Sequence, residues 1–80
     1  MEAIITAFEN KLTEIDSDLV TLNGFSDENY NTDKLIYISK YQELLDAINF
    51  DSESERTTFI GVLTNIRAHV NSLLATFLIL

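Results

Sequence analysis

The sequence contains no cysteine and no proline, and only two of its 80 residues are glycine. Without cysteine the chain has neither a disulfide framework nor a thiolate metal site, which leaves its redox compartment open. Without proline, and with so little glycine, collagen-like, proline-rich and linker-like classes are excluded. Hydrophobic residues make up 46% and charged residues 22%, which is typical of a globular protein. Eighty residues build one core, so we predict a single domain over residues 1–80.

Basic residues are also scarce. Five lysines and arginines stand against 13 acids, and the net charge is −8. That sign is wrong for a protein that binds nucleic acid through phosphate contacts, so we expect no nucleic-acid partner. The three tyrosines lie among acids, which favours core and loop anchoring over base stacking; they are Tyr30, Tyr37 and Tyr41.

Long apolar runs are missing as well. The C-terminal run, residues 73–80, is far shorter than the roughly 20 residues that a membrane span needs, and Asn71 and Ser72 precede it. At the N-terminus no basic stretch precedes Ile4 and Ile5, so no targeting segment is expected. We therefore expect a cytoplasmic protein with no membrane partner.

What the sequence does contain is helical periodicity in three segments, near residues 2–22, 33–49 and 53–79. The first and third follow a 3-4 spacing of apolar residues, which places them on one seam of a helix. The link of Phe50, Asp51 and Ser52 is short enough to make the second and third helices antiparallel neighbours. The fold class predicted is all-α: a three-helix bundle made of an antiparallel helical hairpin plus an N-terminal helix.

Helix ends and core follow from the same patterns. Asn23 and Gly24 predict a left-handed C-cap; Asn31 or Thr32 predicts the next N-cap; Ser52 and Glu55 predict a capping box. The residues expected to be mostly buried are Phe8, Leu12, Ile15, Leu19, Ile38, Tyr41, Leu45, Phe59, Leu63, Ile66 and Val70.

The third helix predicts assembly. It is the longest, it is apolar on more than one face near its C-terminus, and after Arg56 it has no acid and one base, Arg67. Its excess length should have nothing of its own chain to lie against, and an apolar surface of that kind marks an interface. We predict a homo-oligomer, most simply a two-fold dimer, with interface residues Ile60, Gly61, Arg67, His69, Leu73, Leu74, Phe77, Leu78 and Leu80.

Candidate chemical sites are few. His69 is the single histidine, and without further ligands at metal spacing it is interpreted as a partly exposed flanking residue. Glu14, Asp16 and Asp18 are close in sequence but point in three directions around a helix, whereas paired catalytic acids must converge. Gly61 lies inside a helix, either because the position is tolerant or because another helix approaches closely. No catalytic, cofactor-binding or metal-binding residue is predicted.

Residues 8–22, Phe-Glu-Asn-Lys-Leu-Thr-Glu-Ile-Asp-Ser-Asp-Leu-Val-Thr-Leu, are similar to the opening helix of the small all-helical chorismate mutases. That family dimerises through a long helix and binds a substrate carboxylate with an arginine in the opening helix. The corresponding position here is Glu9, and Arg56 and Arg67 lie far downstream. The resemblance therefore implies shared helical patterning, and no site residue is carried over.

Three classes of function remain. The first is a non-enzymatic protein-interaction module that self-associates through its C-terminal helix and presents acidic surfaces to an unidentified protein partner. The alternative is a small inhibitor or decoy of the phage or mobile-element type, which blocks a host protein or sequesters a small ligand at a subunit interface. An enzyme comes third, because no nucleophile–base pair or metal set can be assembled.

Overall fold

The computed structural model describes residues 2–79, and these form four helices and no strand. The helices are α1 (Glu2–Gly24), α2 (Asp27–Lys40), α3 (Gln42–Ala47) and α4 (Arg56–Ile79). The prediction of an all-α bundle is confirmed. The Cα atoms extend over 44 × 24 × 16 Å, so the bundle is long and thin, with two layers of helices.

The first layer is an antiparallel pair of the two long helices, α1 and α4. At one end the Phe8 and Phe77 rings lie 5.5 Å apart, and at the other Arg56 donates to the Leu22 carbonyl oxygen over 3.3 Å. The expectation that α4 extends beyond its own chain is wrong. α1 has 23 residues against 24 in α4, and the two helices therefore lie side by side from end to end.

The second layer is made of α2 and α3. The Tyr30 ring of α2 lies 6.0 Å from the Phe59 ring near the start of α4, whereas Lys40 at the other end of α2 contacts Asp18. α2 therefore runs beside α4 in the same direction. After α3, Phe50 returns to the Phe59 ring, 5.6 Å away. The segment that runs antiparallel to α4 is therefore α3.

The predicted single helix over 33–49 is wrong at its start. α2 begins six residues earlier, at Asp27, because Ser26 is its N-cap and accepts the Asn29 amide over 3.1 Å. Asn31 and Thr32, the predicted caps, lie inside the helix. Ser, Thr and Asn are all good N-caps, and the helix begins after Ser26, which comes first along the chain.

The same helix is interrupted at Tyr41, whose backbone (φ −115°, ψ 22°) ends α2 and precedes α3. Neither glycine nor proline lies there, so the local sequence does not predict the break. The Tyr41 side chain is 1% exposed and its hydroxyl donates to Asp18. We attribute the break to this tertiary contact.

The left-handed cap also lies elsewhere than predicted. Neither Asn23 nor Gly24 has a positive φ, whereas Asn49 has φ 55°. Asn49 follows α3, and the Phe50 amide bonds to the Leu45 carbonyl oxygen over 3.0 Å. This is a Schellman motif, in which asparagine takes the position more often held by glycine.

The predicted capping box before the last helix does not form. α4 begins at Arg56, four residues after Ser52. The chain turns instead around Asp51, whose carboxylate accepts the Glu53 amide over 2.9 Å. An aspartate that bonds to the backbone two residues ahead favours a turn over a helix.

The core lies where the two layers meet. Eight of the predicted core residues are buried: Ile15, Ile38, Tyr41, Leu45, Phe59, Leu63, Ile66 and Val70. The other three pack against the core but are only half-buried: Phe8, Leu12 and Leu19. All three lie on α1, at the edge of the thin bundle. Leu22, Tyr30 and Leu74 are also buried.

Candidate interaction surface

The second layer covers only part of the first. α2 has 14 residues and a length of about 21 Å, against about 34 Å for the 23 residues of α1. The buried residues of α1 all lie in its second half: Ile15, Asp18 and Leu22. The second layer reaches no further along the bundle than Tyr41, where the chain turns back into α3. Beyond that level α1 and α4 have no covering helix among the described residues. We call residues 2–8 of α1 and 73–79 of α4 the uncovered end.

A trough of about 590 Å³ marks the step where the second layer stops. Residues 39–44, around the α2–α3 break, close it at one end. Its remaining lining comes from the two long helices: Ala7, Phe8, Lys11, His69, Val70 and Leu73. The trough occupies the place that a longer second layer would fill.

Large apolar side chains are exposed at this end. Leu78 is 64% exposed and Ile79 is 85% exposed on α4, while Ile4 on α1 is 44% exposed. Leu73, on the trough wall, is 37% exposed. Single exposed apolar residues are ordinary, but a group at one end of a small domain is typical of an interaction site.

The predicted interface residues near the C-terminus differ in how far they are exposed. Leu73 and Leu78 are exposed at the uncovered end, and Phe77 is half-buried against Phe8. Leu74 is buried within the chain itself, at 9% exposure, so it is not available to a partner. Leu80 lies outside the described residues.

The other predicted interface residues lie earlier on α4 and do not join the uncovered end. His69 is exposed in the trough, whereas Arg67 forms an ion pair with Asp16 of α1. Ile60 is half-buried and Gly61 is exposed. The 4-3 spacing placed these residues on one helix but did not show which of its faces α1 covers.

Gly61 has open space around it: a Cβ atom built there meets no atom of the described residues within 4 Å. Within this chain the tolerant interpretation therefore holds. We expect Gly61→Ala to raise the free energy of unfolding by about 0.5–1 kcal/mol, because alanine is the better helix former. Urea denaturation tests this. A destabilised or dissociated variant would instead indicate that another helix crosses closely at Gly61.

A buried polar network lies at the closed end of the trough. Asp18 is 6% exposed and accepts the Tyr41 hydroxyl over 2.6 Å and the Lys40 ammonium over 3.2 and 3.3 Å. Burial, reinforced by the Asp18 carboxylate, raises the pKa of the Tyr41 hydroxyl far above its usual value. The hydroxyl is therefore a proton donor over the physiological pH range. This network holds the α2–α3 break against α1.

Sequence patterns gave no sign of this network, because Asp18 lies next to the apolar seam of α1 and its partners are 22 and 23 residues away. The prediction that Glu14, Asp16 and Asp18 point in three directions is wrong for two of them, because Glu14 and Asp18 are four residues apart on one face of α1 and both act on the Tyr41 hydroxyl. Glu14 pairs with Lys11 over 3.4 Å, Asp16 with an arginine of α4, and Asp18 with the second layer. Glu14 and Asp18 therefore lie near the same hydroxyl, whereas Asp16 points toward α4.

The two arginines also lie apart. Arg56 donates to Asp27 over 3.0 Å at the covered end, whereas Arg67 pairs with Asp16. Each is engaged by a carboxylate of its own chain. The pair does not form a cationic site for a substrate carboxylate.

A small polar pocket of about 190 Å³ lies between the starts of α2 and α4, lined by Asp27, Tyr30, Asn31, Glu55 and Arg56. Tyr30 is 1% exposed, and its hydroxyl has no hydrogen-bond partner among the described residues. Burial raises the pKa of this hydroxyl, which keeps it protonated. Within the described residues no group of three histidines or acids could hold a metal ion.

Charge is distributed unequally between the layers. Residues 27–55, which form the second layer and its flanking loop, hold eight acids and two lysines, a net charge of −6. α4 holds two arginines and no acid. The acidic character of the chain therefore belongs mostly to the second layer, and the uncovered part of α4 is uncharged.

By length and composition α4 is apolar enough to cross a membrane. Core helices of soluble proteins, which are mostly buried, pass the same criterion, whereas 17% of the apolar window of α4 is buried in the bundle. Comparisons of the chain with protein-family models, with curated proteins and with solved structures find no match.

Proposed function

We propose that this protein is a non-enzymatic interaction module that self-associates through its uncovered end and presents its acidic second layer to a protein partner. The observation that carries the proposal is that the second layer reaches no further along the bundle than Tyr41. Past that point the two long helices expose Ile4, Leu73, Leu78 and Ile79 to solvent. A small domain buries a limited share of its surface, and a second molecule that covers these residues stabilises it.

The non-enzymatic part of the proposal is supported by the side chains that carry charge. Asp16, Asp18 and both arginines are engaged in ion pairs that join helices of this chain. Their positions are explained by the fold. An active site instead brings reactive groups together in one cleft.

A charge placed at the uncovered end tests self-association. We expect Leu78→Asp and Leu73→Asp to shift the protein toward monomers, because an interface that excludes water must then desolvate a carboxylate. Light scattering at several protein concentrations measures this. Ala68→Asp is the matched control, since it adds the same charge to an exposed position of α4 outside the uncovered end.

Light scattering of the wild-type protein decides whether the chain self-associates. If it is monomeric at high micromolar concentration, self-association is wrong. Flotation with neutral phosphatidylcholine vesicles then tests whether the uncovered end contacts lipid instead. Leu74→Asp is unsuitable for this series, because Leu74 belongs to the buried packing of the chain.

A second candidate function is a small inhibitor that covers a basic surface of another protein. The observation that favours it is the net charge of −6 on residues 27–55, together with Leu35 and Ile36, which are 65% and 60% exposed on α2. A partner held mainly by charge is released as salt screens the contact. A pull-down repeated at low and high salt separates this function from an apolar interface.

A further inference from the structure

We infer that the trough of each molecule is filled by the uncovered end of a second copy, in an antiparallel, face-to-face arrangement that makes a four-helix segment across the two-fold axis. The inference rests on the proposed self-association and specifies how the two chains meet. It is carried by the shape of the step, by the layer charges and by the side chains in the trough.

The shape of the step is self-complementary. At the trough no second-layer helix covers the α1–α4 pair, and this pair forms the floor. The uncovered end of a second copy is itself one such pair, and it is one layer thick. Residues 2–10 of α1, which are the residues before Lys11 meets the second layer, span about 14 Å. Two such ends, placed face to face, therefore fill each other's trough, and each tip meets residues 39–44 of the other copy.

The layer charges select the antiparallel arrangement. In a parallel dimer the two second layers, each with a net charge of −6 over residues 27–55, lie side by side and repel. In the antiparallel arrangement only the uncovered ends overlap, and the acidic layers lie at opposite ends of the assembly. Their separation then exceeds the Debye length of about 8 Å at physiological salt. Like-charge contacts of this kind reject the wrong arrangement.

The side chain placed on the axis, that of Ala7, is small, and the surrounding trough is lined by apolar residues together with Lys11, Lys40, Glu43 and His69. Ala7 is exposed on the trough side of α1, next to Phe8 and close to Leu73. Residues 68–79 of α4 carry no acid or lysine or arginine. In this arrangement α1 lies against the α1 of the second copy. Ala7 lies near its own equivalent, because it is close to the middle of the stretch of α1 between its first residues and Lys11, which lies beside Tyr41 of the second layer.

Disulfide trapping tests the arrangement, since the chain has no cysteine of its own. We expect Ala7→Cys to form a disulfide-linked dimer rapidly under mild oxidation, because two Cα atoms near the axis come within the distance that a disulfide spans, about 7 Å at most. Ser17→Cys is the control. Ser17 is exposed on the same helix, ten residues away, and its two copies lie about 30 Å apart in this arrangement.

Three outcomes are distinguishable on non-reducing gels and by light scattering. A dimer from Ala7→Cys that forms at least tenfold faster than from Ser17→Cys supports the arrangement. A protein that dimerises without that difference overturns the antiparallel arrangement and leaves self-association standing. A monomeric wild-type protein, with equal slow oxidation of both variants, overturns the arrangement and the proposed function together.

Discussion

Phe59→Ala is expected to lower the free energy of unfolding by about 3–5 kcal/mol, the largest loss from any single truncation in this chain. Phe59 has no exposed surface. Its ring lies 6.0 Å from the Tyr30 ring and 5.6 Å from the Phe50 ring, so one side chain joins α2, α4 and the segment after α3. Removing it leaves a cavity where both layers meet.

Urea denaturation followed by circular dichroism measures this loss. A domain of 80 residues has a total stability of about 4–12 kcal/mol, so the variant is expected to lie close to unfolding at 37 °C. Phe59→Leu keeps most of the side-chain volume, so this variant is expected to stay folded. Its free energy of unfolding should fall by only about 1–2 kcal/mol. Leu35→Ala, at a position that is 65% exposed, is the control, with a change within about 0.5 kcal/mol. Equal effects at residues 35 and 59 would show that the core is placed wrongly.

Asp18→Ala is expected to cost about 2–4 kcal/mol, because it leaves the buried Tyr41 hydroxyl without its acceptor and removes the partner of Lys40. Asp16→Ala is the matched control. It removes a carboxylate two residues away on the same helix, from an ion pair whose side chains are 38% and 51% exposed. Exposed pairs contribute about 0–1 kcal/mol. Thermal and urea denaturation of the two variants compare them directly.

A double-mutant cycle isolates the Asp18–Tyr41 contact. Tyr41→Phe keeps the ring in the core and removes only the hydroxyl. Because the double variant leaves neither partner unsatisfied, its loss should be smaller than the sum of the single losses by about 1–3 kcal/mol. Additive losses would mean that the hydrogen bond of 2.6 Å does not stabilise the break between α2 and α3.

The periodicity of the chain was sufficient to predict the two long helices and most of the core. Apolar residues at 3-4 spacing have to lie on one side of a helix, whatever the tertiary arrangement. Phe59, Leu63, Ile66 and Val70 are therefore buried where the seam of the last helix placed them. Composition predicted only a single globular domain without a disulfide framework.

Two features depended on contacts between residues far apart in sequence. The break at Tyr41 follows from a hydrogen bond to a residue 23 positions earlier, and no glycine or proline marks it. Leu74 and Leu78 are one helical turn apart with similar chemistry, yet Leu74 is buried and Leu78 is 64% exposed. Spacing along one helix fixes which residues share a face, but which face another helix covers depends on the packing of α1 and on where α2 ends.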